Sequence, residues 1–203
     1  MKVKNKRKKI YVGLSADILH EGHINILKKA KSLGHVTVGL LTDEAITTYK
    51  KLPHLTFHQR EIVLKNIKMV DKVVPQTTLD YRPNLIKYKP DLVVHGDDWK
   101  SGIQKETRKQ VITTLKKWSG KLIEVPYTKN ISSSLIKKKI MKTGTTPEVR
   151  QIKFKRLINV KKIVRILEAH SPLSAMIVEN TNVVKKNKFY EFDGMWSSSL
   201  TDS

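Results

Sequence analysis

The segment Ser15-Ala16-Asp17-Ile18-Leu19-His20-Glu21-Gly22-His23 sets two imidazoles on either side of a glycine, just after a strand-like burst and just before a helical pattern. That placement suits phosphate chemistry. A helix start offers backbone N–H groups and the positive end of a dipole, and Gly22 lets a phosphate approach the backbone closely. Two imidazoles beside it can donate to oxygens that gain charge when an α-phosphate becomes five-coordinate. The competing reading makes one histidine a helix cap and the other a partly buried core residue. Two histidines flanking a glycine on the first strand-to-helix loop favour the phosphate reading, with His20 and His23 gripping the reacting phosphate. The spacing G-x-G-x-x-G of dinucleotide sites is absent.

Other residues of the right type lie on loops further along. Ser132, Ser133 and Ser134 open a helix, where hydroxyls and amides together can hold the β- and γ-phosphates of a leaving pyrophosphate. Lys50 and Lys51, after the second strand, are cations for the α-phosphate and for an anionic acceptor, or else solvated surface lysines. Asp17 could help position Mg²⁺ against triphosphate charge. Asp97 and Asp98 end a buried strand, either as nucleotide-facing acceptors or as helix caps. Trp99 packs beside a ligand or covers the domain.

These groups need a sheet to position them, and the chain supplies one. Ile10 to Leu14 reads as a strand, Ile24, Ile26, Leu27, Ala30 and Leu33 as a helix that Gly34 terminates in a left-handed conformation, and Val36 to Leu41 as a buried second strand. Thr56-x-x-Gln59 resembles a capping box for a helix with Ile62, Val63 and Ile67 inward, before a strand at Val73-Val74-Pro75. Leu92 to His95, a helix from Lys105 to Trp118 closed by Gly120, and a strand from Leu122 to Val125 complete an α/β, doubly wound parallel five-stranded sheet. Ligands in such sheets bind beyond the carboxyl ends of the strands, where the loops just named lie.

After Ile140 a hydrophilic connector with Gly144 and Pro147 marks a boundary. A basic helix-like stretch to about Ala169, strand-like Ala175 to Val178, a polar turn at Lys185 to Lys188 and an apolar Phe192 to Trp196 follow. We read residues 1–9 as a basic tail, 10–141 as the catalytic domain, 142–148 as a linker and 149–203 as a separate segment.

Composition narrows the classes. The 203 residues hold one full α/β domain and a shorter remainder. No cysteine is present, which excludes disulfides and thiolate metal sites and leaves oxygen or imidazole as metal donors. The formal charge of +22 invites a polyanion-binding reading. Yet the cations are nearly all lysine and only 6% of residues are aromatic, without the arginine forks and stacking platforms of specific nucleic-acid sites. We expect a solvated lysine-rich surface rather than a nucleic-acid partner. With no apolar run of about 20 residues and no convincing leader, the expectation is a cytoplasmic protein without a membrane span, and a homo-oligomer such as a dimer.

Gly13, Asp17, His20 and His23 together resemble the cytidylyltransferase branch of the nucleotidyltransferase superfamily, whose defining motif is H-x-G-H and whose preceding strand leads from a glycine to an aspartate. Val70-Asp71-Lys72-Val73 is similar to that family's V-D-E-V block, Gly96-Asp97-Asp98-Trp99 follows, and Ile131-Ser132-Ser133-Ser134 is similar to I-S-S/T-T. The resemblance implies a HIGH-type, Rossmann-like fold. It implies a nucleotide held by Gly13, Ser15, Asp17, Gly22, Gly96, Asp97, Asp98, Trp99 and the Ile131–Ser134 block, catalysis by His20, His23 and Lys50, and an acceptor held by Lys51 and Lys68. Lys68-Met69 stands where relatives carry an arginine, which keeps charge but loses the planar fork.

A second resemblance covers the tail. Thr145 to Arg150, Glu168 to Ala175, Val178-Glu179-Asn180 and Phe192 to Ser203 are similar to the start of phosphoenolpyruvate mutase, an isocitrate lyase superfamily β/α barrel found fused behind cytidylyltransferases in phosphonate biosynthesis. It implies an incomplete barrel segment in which Trp196, Ser198, Ser199 and Leu200 contact substrate phosphoryl and carboxylate groups, with no mutase activity in this chain. Together these readings lead us to expect Mg²⁺-assisted transfer of CMP from CTP to a small phosphonate or phosphate ester, such as 2-hydroxyethylphosphonate or 2-aminoethylphosphonate. The alternatives are an adenylyltransferase of the same superfamily and a non-catalytic polyanion binder.

Overall fold

The computed structural model describes residues 7–100, 104–126, 128, 133, 136, 146–185 and 188–197. Five strands, β1 (Lys8–Leu14), β2 (Gly34–Leu41), β3 (Lys72–Gln76), β4 (Leu92–Gly96) and β5 (Lys121–Val125), form a sheet in the order β3-β2-β1-β4-β5. Every pairing is parallel. This is the expected doubly wound sheet. Its strand order reverses direction at β1, so the crevice beyond the carboxyl end of β1 is the topological place for a ligand.

The two faces of the sheet separate by the period-two alternation of β1. Ile10, Val12 and Leu14 join Val36, Val38 and Leu40 of β2, Leu27 and Ala30 of α1 (Glu21–Leu33) and Leu64 of α3 (Phe57–Lys65) in one core. Tyr11 faces the other way, into a core of Val93, Leu85 of α4 (Arg82–Tyr88), Val111 and Leu115 of α5 (Lys105–Lys116), Tyr81 and Trp99. The Tyr11 hydroxyl donates to Gln76 Oε1 at 2.8 Å and accepts from Asn84 Nδ2 at 2.8 Å. Burial raises its pKa, so it remains a protonated donor. A short helix, α2 (Asp43–Thr47), occupies the start of what the sequence reads as a loop.

Several expectations are corrected in detail. Gly34 is extended, not left-handed, and opens β2 with its N–H bonded to Ala30 O. A Cβ there would lie 2.1 Å from Lys8 O, so the glycine is needed for the close approach of β1. Thr56 and Gln59 do form the capping box. However, Ile62 and Val63 are exposed, and α3 turns Arg60 and Leu64 inward instead.

The chain divides into two units, residues 1–46 with 53–144, and residues 47–52 with 145–203. In the second unit, Thr146 caps α6 (Pro147–Val160), followed by β6 (Ile166–Ala169) and α7 (Pro172–Asn180). A hairpin of β7 (Asn182–Lys185) and β8 (Lys188–Glu191) comes next, then β9 (Gly194–Ser197). β6 and β9 pair in parallel, one β-α-β repeat whose crossover is α7 together with the β7–β8 hairpin. The basic helix therefore stops at Val160, short of Ala169. Ala175 to Val178 is helical rather than a strand, because Ser171 and Ser174 make a reciprocal capping box with Pro172 in the first turn. Asp193 closes the repeat, accepting from Lys161 Nζ at 2.6 Å and Arg165 N at 2.9 Å. Among the described residues, no helix is long and apolar enough to cross a membrane.

Candidate active site

β1 ends at Leu14, and Ala16 turns the chain sharply with a left-handed φ of 50°, a conformation that is costly for a residue with a side chain. The loop is then fixed from both sides. Asp17, only 4% exposed, accepts from His54 N at 2.7 Å and Leu55 N at 3.1 Å through Oδ1. Arg60, fully buried, donates to Ser15 O at 2.5 Å, Leu41 O at 2.8 Å, Leu55 O at 3.3 Å and Asp43 Oδ1 at 2.6 Å. One guanidinium thus ties the carboxyl ends of β1 and β2 to the segment entering α3. Its charge is compensated by Asp43 and its donors are spread over three carbonyls, as a buried cation requires.

His20 is the N-cap of α1. Its Nδ1 accepts from Gly22 N at 3.2 Å, and His23 Nδ1 accepts from His20 N at 3.4 Å, a capping box built from two imidazoles. The first-turn amide of Gly22 is therefore used locally, as is that of His23, which bonds His20 O at 3.0 Å. This corrects the expectation of open helix-start amides. A ring nitrogen that accepts is unprotonated in the neutral imidazole, so the capping box places the proton of each ring on Nε2. The rings lie 4.1 Å apart between centroids, tilted by 47°. Burial lowers the His20 pKa, which favours this neutral donor form. Gly22 serves the ring rather than an open backbone, since a Cβ there would lie 3.0 Å from His20 Nδ1 and Cε1.

The segment after β5 comes to the same loop. Ser133 Oγ donates to Ile18 O at 3.2 Å, and Asn25 of α1 donates to Thr128 Oγ1 at 3.2 Å. Ile131, Ser132 and Ser134 lie outside the described residues, so Ser133 alone represents that block here.

At the end of β4, a 3₁₀ turn spans Asp97–Lys100. Trp99 is 1% exposed and belongs to the core; its Nε1 donates to Glu124 Oε1 at 2.9 Å, and its ring stacks on His95 at 3.7 Å with a 6° angle. Arg108 grips both oxygens of Glu124 at 2.9 Å, which holds that carboxyl down at about 2. His95 Nδ1 lies 2.8 Å from Gly96 O and 3.8 Å from Asp98 Oδ1. Asp97 lies 3.7 Å from Lys100 Nζ. Gly96 leaves room for the Asp98 carboxylate, which would be 2.8 Å from a Cβ. Gly13 likewise makes room for the Tyr81 ring.

Lys68 is exposed in the turn before β3, where Asp71 N bonds Val36 O near the start of β2. Within one chain that turn is at the amino end of the sheet, opposite the His20 loop, because α3 runs back across the sheet before β3 begins. Lys50 and Lys51 belong to the second unit, where Lys50 lies over the Tyr49 ring and Lys51 Nζ is 3.7 Å from Glu191 Oε2. Trp196 is 67% exposed on β9, and Ser198, Ser199 and Leu200 lie outside the described residues. Sequence reasoning missed Arg60, His95 and Glu124. Arg60 was the findable one, an arginine on the same helical face as the buried Leu64.

Residues 10–139 match the cytidylyltransferase-like family, a span that holds both histidines, the turn after β4 and the serine block. The chain belongs to the cytidylyltransferase-like family. Glycerol-3-phosphate cytidylyltransferase of Bacillus spizizenii is 32% identical over 133 residues, 64% of this chain and 95% of that protein. Ethanolamine-phosphate cytidylyltransferase of Arabidopsis thaliana is 35% identical over 101 residues, 47% of this chain and 24% of that protein. FAD synthase of Korarchaeum cryptofilum is 32% identical over 149 residues, 70% of this chain and 97% of that protein. The lipopolysaccharide core biosynthesis protein of Thermoplasma volcanium GSS1 has the same fold, with a TM-score of 0.50 and 25% identity over 60% of this chain and 97% of that structure. This cytidylyltransferase-like chain is thus a nucleotidyltransferase in its first unit.

Proposed function

We infer that the first unit transfers CMP from CTP to a small phosphate or phosphonate ester and releases pyrophosphate. One observation carries this reading: two imidazoles 4.1 Å apart at the mouth of α1, each locked as an Nε2–H donor by its own capping bond, at the switch point of the sheet. The acceptor oxygen attacks the α-phosphorus in line, the bond from that phosphorus to the β-phosphate bridging oxygen breaks, and pyrophosphate leaves with the electron pair. His20 and His23 donate to the α-phosphate oxygens as charge builds on them. Ser133 stands at the β- and γ-phosphates, and Asp97 or Asp98 accepts from the nucleoside. Lys50 and Lys51 remain proposed cations for the phosphates and acceptor. No side chain forms a covalent bond, since the reaction requires positioning and charge stabilisation.

A divalent ion such as Mg²⁺ offsets triphosphate charge in such reactions. No group of three or more acidic or imidazole side chains among the described residues is arranged to hold one, and Asp17 Oδ1 is committed to two backbone amides. Such an ion would be held mainly by the phosphates of the bound nucleotide, where it would offset their charge.

CTP as donor, and a phosphate ester as acceptor, are supported by the relatives that act on glycerol 3-phosphate and ethanolamine phosphate. The FAD synthase relative keeps ATP as the alternative donor. A phosphonate acceptor rests on the tail, whose sequence blocks resemble phosphoenolpyruvate mutase and whose β6-α7-β9 repeat is parallel. The cytoplasm is the proposed compartment. The test is a panel of CTP, ATP and GTP with Mg²⁺ against glycerol 3-phosphate, ethanolamine phosphate, 2-aminoethylphosphonate and 2-hydroxyethylphosphonate. Acceptor-dependent pyrophosphate release with CTP supports the reading, and release only with ATP overturns the donor assignment.

A further inference from the structure

The opposite pole of the same sheet carries a second concave site. A cavity of about 500 Å³ lies at the amino ends of β1, β4 and β5, lined by Arg7, Lys8, Lys9, Lys89, Asp91, Leu92, Ser119 and Lys121. Strand β1, seven residues long, separates it from the His20 loop by roughly 20 Å at about 3.3 Å per residue. Five cations converge there from three stretches of chain. Among the described residues none of the five forms an ion pair. Asp91, the one carboxylate among the described lining residues, is bonded to the backbone, its Oδ2 accepting from Lys9 N at 2.7 Å.

The frame beneath these cations is fixed. Asp91 N bonds Lys9 O at 2.9 Å, Lys121 N bonds Asp91 O at 3.0 Å, and Trp118 Nε1 donates to Pro90 O at 2.8 Å. Lys89 and Ser119 enter the cavity wall from left-handed turns with φ of 43° and 61°. Helix-end electrostatics explain only part of this. Lys89 is the C-cap of α4, where a cation complements the helix dipole, but Lys8, Lys9 and Lys121 begin strands, Arg7 precedes one, and none of these four has such a role. A cleft lined by one sign of charge concentrates its counter-ion.

We propose that this cavity is a non-catalytic binding site for a small linear oligophosphate. The volume is that of a small-ligand site. Four of its five cations are lysines, compact point charges suited to phosphate oxygens, whereas only Arg7 offers a fork. Among the described residues no aromatic ring lines it to stack a base, which weighs against single-stranded nucleic acid. Five cations from three stretches of chain match the charge of several linked phosphates better than that of a single one.

The test is calorimetric titration of sodium tripolyphosphate into the full chain with CTP held at saturation, so that the transferase site is filled. Wild type is compared with Lys89→Glu/Lys121→Glu and with a matched charge reversal on α1, Lys28→Glu/Lys29→Glu. The proposal expects binding that CTP does not displace, a loss of at least tenfold in the first variant and no more than twofold in the control. Turnover with CTP should be unchanged in both. Equal losses in the two variants would show diffuse attraction to a basic surface and overturn the site. Displacement by CTP, or tighter binding of oligouridylate than of tripolyphosphate at the same residues, would overturn it as well. Amide shifts of ¹⁵N-labelled wild type guard against a misfolded variant: tripolyphosphate should move Arg7 to Lys9, Lys89 to Leu92 and Ser119 to Lys121, and shifts elsewhere alone would contradict the proposal.

Discussion

His20 caps α1 through Nδ1, which leaves the Nε2 side of the ring for the proposed phosphate contact, so one substitution can separate the two jobs. Asparagine is a good N-cap but lacks the second ring nitrogen. His20→Asn should keep thermal stability close to wild type while turnover falls roughly 100-fold or more, the scale of removing one transition-state donor. His20→Ala should lose turnover and also about 1 kcal/mol of stability. Melting curves beside rate measurements separate these outcomes. Arg60 belongs to the same scale. Arg60→Met would leave Asp43 and the carbonyls of Ser15 and Leu41 without their donor, so we expect a destabilisation of about 3–5 kcal/mol by denaturant titration. The histidine pair was legible because its spacing around a glycine is local in sequence. Arg60 was not, because its partners lie 5 to 45 residues away and only the closed sheet brings them together.

Elements are where turn chemistry decides outcomes that apolar patterns leave open. The sheet strands could be read from runs such as Val36 to Leu41, buried on both faces as parallel strands are. Ala175 to Val178 has the same apolar look, yet Ser171, Pro172 and Ser174 start a helix there, a cap that the sequence displays and that a four-residue window overlooks. Gly34 shows the reverse case, a glycine that resembles a helix stop but serves strand approach. Gly34→Ala should destabilise the first unit, since the Lys8 backbone must move, and melting temperature checks it. The Glu124 bond to Arg108 and Trp99 joins β5, α5 and the 3₁₀ turn. Its folded pKa of about 2 lies below the ordinary 4.5, so its contribution is complete above pH 4.5 and is lost as pH falls toward 2. Glu124→Gln should lower stability at neutral pH and flatten that acid limb.

At the scale of the whole molecule, the two units differ in how much apolar surface they bury. The first has two cores against the sheet faces, whereas the second buries Tyr49, Leu52, Leu157, Ala169 and Val178 and leaves Leu173, Met176, Ile177, Val183, Val184 and Trp196 exposed. Burial of apolar area is the main stabilising term, so the second unit should open first. Hydrogen exchange should show amides of β6 and β9 exchanging at lower denaturant concentration than those of β1 and β4, and simultaneous exchange would contradict this. The central claim is a transfer at the α-phosphorus, and the fate of label tests it most directly. With [α-³²P]CTP and a reactive acceptor from the panel, label should move into the acceptor product, while [γ-³²P]CTP should release all its label as pyrophosphate. Label from the γ-position in the acceptor product, or no movement of either label with any acceptor, would contradict the account.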